Sequence, residues 1–136
     1  MFGSSSNRAS AYAQVGVETG VSTADPHKLI LMLFDGAILS IATAAAAMER
    51  NDISTKGQSI SKAIEIIVNG LKASLDPVAG GELAGRLDAL YVYMGERLLY
   101  ANLHNSHAAL DEVRGLLATL REAWAGIAPN AATAAA

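Results

Sequence analysis

The chain has 136 residues, a formal charge of −3 and no cysteine, with 51% hydrophobic but only 5% aromatic residues. That length gives one domain with a real core. The acidic balance argues against nucleic acid, which needs a basic patch to release counterions, and the missing thiols exclude disulfides and thiolate metal sites. An aliphatic interior rich in Ala and Leu favours helix over sheet.

Residues 1–24 are rich in Ser, Gly, Ala and Thr, with Tyr12, Val15, Val17 and Val21 scattered among them. They read as a flexible N-terminal arm with a short helical turn around Arg8 to Gln14. No charged stretch followed by an apolar run marks a secretory signal, and Phe2 stands where myristoylation needs glycine. A reducing cytoplasm is the expected compartment.

The first helix is expected from Pro26 to about Arg50. Asp25 is its N-cap, and Pro26 occupies the first helical position, where its missing N–H costs nothing. Ile30, Leu33, Phe34, Ala37, Ile41, Ala44, Ala45 and Met48 form one face, while Met32, Asp35 and Leu39 point elsewhere. Asp35 is the only charge between Leu29 and Met48, a stretch long enough to span a membrane. Its eight Leu, Ile and Phe residues offer roughly −2.4 to −5 kcal/mol on the insertion scale, and a central Asp costs roughly +2.5 to +3.5. The sum is near zero, and insertion would strand the later amphipathic helices, so no membrane insertion is expected.

Asn51 and Asp52 break the pattern. The second helix is expected over about residues 53–76, burying Ile53, Ile60, Ile64, Ile67, Leu71 and Leu75, with Lys62, Glu65, Asn69 and Lys72 outward. Asp76 to Gly81 read as a turn, from the proline and the paired glycines.

The third helix, about residues 81–104, carries two apolar stripes. Leu83, Leu87, Leu90, Met94, Leu98 and Ala101 share one face; Val92, Leu99 and Leu103 share the opposite one, with Tyr93 and Tyr100 beside them. A bundle helix normally turns one face to water, so the second stripe calls for a cover: another protein, the arm, or a second copy of the chain in a homodimer. Ser106 is a candidate N-cap for a fourth helix over about residues 106–127. Its seam is Leu110, Val113, Leu117, Leu120, Trp124 and Ile127, with Asp111, Arg114, Arg121 and Glu122 polar. Pro129 stops it, and residues 129–136 read as a disordered Ala-rich tail.

Four helices of this length, each about 35 Å long and joined by short links, predict an all-α, antiparallel up-and-down four-helix bundle over residues 25–128. Catalytic and metal signals are absent. No Glu-x-x-His pair suits a di-iron site, and Gly80-Gly81 lacks the Lys and Ser/Thr of a phosphate loop. His104, His107 and Asp111 fall at a helix junction, and His27 reads as surface. No enzyme, cofactor or metal is expected. Asp35 is either solvated at an edge or an acceptor for a partner's hydrogen bond. Tyr91, Tyr93 and Tyr100 are either bundle aromatics or interface anchors. Gly36, Gly70, Gly85 and Gly95 suggest close helix approach or a groove.

Several segments in order carry a resemblance. They are Ala11-Tyr12-Ala13-Gln14, the run from Pro26 to Ala37, Ser61 to Ile67, and Gly80 to Leu83. Leu90 to Met94, Arg97 to Leu99, Ala101-Asn102-Leu103 and Glu122-Ala123-Trp124 complete the set. Across about residues 8 to 128 the chain resembles the FliS family of flagellar secretion chaperones. The resemblance implies a cytoplasmic bundle that binds the disordered C-terminal region of flagellin, prevents premature polymerisation and hands it to the type III export apparatus, without ATP. It also implies contacts with an export-gate protein and, in some bacteria, an anti-sigma factor. Tyr12 is then a contact on an arm that lies over the empty cleft. The contact set so expected is Tyr12, Met32, Asp35, Leu39, Tyr91, Val92, Tyr93, Leu99, Tyr100, Asn102 and Leu103. Ala9 and Ser4 to Ser6 are less apolar than in many relatives, which implies weaker capping by the arm.

Overall fold

The computed structural model describes residues 25–127; the arm with Tyr12 and the tail lie outside them. Four helices follow in order: α1 (Pro26–Glu49), α2 (Ile53–Glu65), α3 (Pro77–His104) and α4 (His107–Ala125). Helix α2 continues through a π-helical turn, Ile66–Leu71, and a 3-10 turn, Lys72–Ser74. Each helix packs on its neighbours in chain order, and α4 closes the ring against α1. The all-α up-and-down bundle is as expected, and no strand occurs among the described residues.

Each helix starts on a side chain that satisfies backbone N–H groups left free by helix geometry. Asp25 accepts from the Lys28 amide at 2.8 Å, Asp52 from Thr55 at 3.1 Å, Asp76 from Val78 and Ala79, and Ser106 from Ala109 at 3.1 Å. The core is aliphatic. Ile41, Ile60, Ile67, Leu71, Met94, Leu98, Leu110, Val113 and Leu117 are its largest fully buried side chains. Helix α1 has the length and composition to cross a membrane, but Ile30, Leu33, Phe34, Ala37, Ile41 and Ala44 are core residues here. Its hydropathy comes from lying against both α2 and α4.

Four expectations are corrected. Ile53 is 75% exposed rather than core, because it is the first residue of α2 and projects past the end of the bundle. One turn later the buried Lys56 fills that end, its ammonium donating to the Asn102 carbonyl at 3.0 Å and to Asn105 Oδ1 at 2.5 Å. A cation at the C-terminus of α3 also complements the helix dipole. The turn expected over Asp76 to Gly81 is shorter than that: Pro77 to Gly80 are already helical, and the break is at Gly81 alone, with φ 54° and ψ −130°. Only glycine holds that backbone cheaply. Leu83, just past the break, is 54% exposed although it was assigned to the inner stripe. Finally, His27 is not a plain surface residue, as described below.

Of Gly36, Gly70, Gly85 and Gly95, close approach is enforced at Gly70. A Cβ there would stand 2.9 Å from Leu33 Cδ2. Gly36 and Gly95 would make ordinary contacts, and Gly85 faces open space.

Candidate partner-binding surfaces

The inner stripe of α3 is sealed where it was expected to be: Met94, Leu98 and Ala101 are fully buried, and Leu87 and Leu90 pack partly against the core. The opposite stripe is open. Val92 is 42% exposed, Leu99 59% and Leu103 79%. Three apolar side chains along about 16 Å of helix thus face outward, with nothing among the described residues over them.

The flank of this stripe toward α4 is polar and ordered. The Tyr93 hydroxyl donates to Glu112 Oε2, and Arg97 Nε donates to Glu112 Oε1 at 2.8 Å. The Arg97 guanidinium lies 4.6 Å from the centre of the Tyr100 ring, which in turn contacts His104 at 4.4 Å between centroids. Hydrogen bonds from Tyr93 and Arg97 hold the Glu112 carboxyl below its ordinary range. The same carboxylate raises the Tyr93 phenol and the Arg97 guanidinium. Tyr93 and Tyr100 stay about two-fifths exposed despite these bonds, so each presents a ring held in one orientation.

Two expected contact residues fall elsewhere. Tyr91 is 3% exposed, a core residue and not an outward anchor, and burial pushes its phenol well above the usual tyrosine range. It sits four residues after Leu87 and three before Met94, on the inner face. Asn102 is half-buried, and its described role is to offer its backbone carbonyl to Lys56.

Met32, Asp35 and Leu39 belong to α1, which lies diagonally across the bundle from α3. They therefore form a second face and do not join the α3 stripe in one groove. Leu39 is 68% exposed and Met32 half-buried. Asp35 is exposed but already partnered, accepting from Arg121 Nε at 2.8 Å and Nη2 at 3.4 Å. This bond raises the Arg121 pKa and ties α1 to α4. Of the two readings of Asp35, the hydrogen-bond donor is present but comes from the chain itself.

A third feature escaped the sequence. At the end of the bundle where α1 begins and α4 finishes is an apolar cavity of about 160 Å³. Ile30, Phe34, Leu71, Leu87, Tyr91 and Leu120 line it together with Leu75, Leu83, Trp124 and Ile127. At its rim His27 and Trp124 are stacked, with ring centroids 5.3 Å apart. The His27 Nε2–H donates to the Trp124 carbonyl at 2.8 Å, and Trp124 Nε1 donates to the His27 carbonyl at 2.9 Å. Most lining residues read as core from periodicity. What periodicity lacks is how the layers close at a helix end, which depends on the break at Gly81. Among the described residues no group of His, Asp and Glu is disposed to hold a metal ion.

Residues 8–131 match the family model "Flagellar protein FliS". The chain is 54% identical to the flagellar secretion chaperone FliS of Salmonella typhimurium, over 89% of this chain and 90% of that one. It is 50% identical to FliSB of Pseudomonas aeruginosa (85% and 91%) and 47% identical to FliS of Escherichia coli (84% of each).

Proposed function

The chain belongs to the FliS family of flagellar secretion chaperones, and from that premise we propose that it binds the disordered C-terminal region of flagellin in the cytoplasm. Binding holds flagellin back from polymerising and presents it to the flagellar type III secretion apparatus. The role is one of binding, not catalysis. An export-gate protein is the receiving partner, and an anti-sigma factor is a further one.

The observation that carries this reading is the open stripe of Val92, Leu99 and Leu103. A disordered segment loses conformational entropy when it orders, so its receptor must offer a long apolar track, and anchors one and two turns apart suit a segment laid along a helix. The second open position, Leu39 on α1, suits a partner that wraps round the bundle rather than lying in one groove. Tyr12 of the arm, as the family resemblance implies, is proposed as its intramolecular competitor.

Replacing Leu99 and Leu103 together with Asp tests the reading. Both side chains are more than half exposed, so helicity by circular dichroism stays at the parent value while binding to a flagellin C-terminal peptide is lost. Retained binding overturns the reading of this face. Sedimentation with and without the peptide separates it from self-association: a dimer indifferent to the peptide would mean that the stripe covers itself.

A further inference from the structure

Glu96 stands inside the exposed stripe of α3. It follows Val92 by four residues and precedes Leu99 by three and Leu103 by seven, so at 100° per residue the four side chains fall within about 60° of helix surface. It is exposed, and among the described residues no ion pair or hydrogen bond reaches it. The other two carboxylates of α3 and Glu112 on the neighbouring α4 are taken: Asp88 by Lys72 at 3.2 Å, Glu82 by Arg86 at 3.2 Å, and Glu112 by Arg97 at 2.8 Å. Arg97, the next residue in sequence, is turned toward α4 and held between Glu112 and the Tyr100 ring.

We propose that Glu96 is the acceptor for a lysine or arginine side chain on the segment that covers this stripe, and that it selects which segments are accepted. The proposal rests on the binding role argued above and deepens it. Any partner that covers Val92 and Leu99 also strips water from the carboxylate between them. An unpaired charge taken out of water is costly, whereas a charge-assisted hydrogen bond offsets the loss. A segment with apolar anchors alone, or with an acidic residue at this register, is therefore rejected, and one with a cation between its first two anchors is fixed in register. The stripe supplies adhesion, and Glu96 supplies discrimination.

The test titrates the purified C-terminal region of flagellin into the parent protein and into Glu96→Gln and Glu96→Lys, at low and high salt. Because Glu96 is exposed and makes no bond within the bundle, both variants keep the parent's circular dichroism. The expected affinity loss is about fivefold for Gln and about thirtyfold or more for Lys, with parent binding weakened by salt and the Lys variant's binding strengthened. A set of flagellin segments in which each Lys or Arg is changed to Glu in turn then contains one that restores binding to Glu96→Lys. If the parent binds flagellin and the Leu99→Asp/Leu103→Asp protein does not, yet both Glu96 variants match the parent at either salt, the proposal for Glu96 is overturned and the binding role stands. If the parent itself fails to bind, the binding role falls and takes this proposal with it.

Discussion

The two ends of the bundle are finished by opposite means. Where α1 and α3 end and α2 and α4 begin, the finish is polar and filled: Lys56 joins α2 to the last turn of α3 and to Asn105, whose left-handed backbone turns the chain into α4. Ala109 and Leu110 close the layer beneath with no exposure. At the far end α2 loosens into π and 3-10 turns, α3 breaks at Gly81, and an apolar hollow is left with only the His27–Trp124 clasp at its rim. A bundle of four helices has two such ends to solve. This one ties one end with a buried ammonium between two helices and leaves an apolar hollow at the other, bridged at its rim by the two His27–Trp124 hydrogen bonds.

Side-chain enlargement is the severest trial of that contrast. Ala109→Leu inserts three carbons into a filled layer and is expected to cost about 2–3 kcal/mol in urea unfolding. The same change at Ala123, which lines the hollow, is expected to shift stability by less than about 1 kcal/mol. Equal costs at both sites would show that the ends do not differ. Lys56→Met comes next. It keeps most of the buried stem but leaves the Asn102 carbonyl and the Asn105 amide oxygen without their donor, a loss of about 1–3 kcal/mol read from the same unfolding curves.

The smallest effect is one of pH. Hydrogen bonds from Thr55, side chain first and then backbone, hold the Asp52 carboxyl below its ordinary value of 3.8, with Arg50 adding to them. A carboxyl lowered in the folded state stabilises it above the unfolded value, and that contribution fades as pH falls through the folded one. Unfolding followed below pH 4 is therefore expected to steepen for the parent. Asp52→Asn, which can still cap the helix, should flatten this acid limb and leave neutral behaviour little changed.

Much of this was legible in the sequence because it is local. Asp25 and Ser106 announce helix starts through chemistry within three residues, and Met94, Leu98 and Ala101 declare their face by spacing alone. The outward direction of Leu99 and Leu103 follows from the same arithmetic. Tyr91, open between bundle aromatic and interface anchor, is settled as core by continuing the spacing of Leu87, Met94 and Leu98. The remaining misses are tertiary. Lys56 meets Asn105 across 49 residues and His27 meets Trp124 across 97, and no window of neighbouring residues contains either pair. Nor does periodicity reveal that α1 and α3 are diagonal, which divides the expected contact residues between two faces.

The π turn of α2 sets the direction in which that helix ends. At its close the Lys72 amide is shared between the carbonyls of Ile67 and Val68, five and four residues back. A bond to the carbonyl five residues back closes a wider turn than an α-helix makes, which shifts the facing of the residues after it. Leu75, which lines the hollow, and Asp76, which caps the start of α3, follow it beyond the 3-10 turn. The widened turn thus sets the bearing on which both residues leave α2.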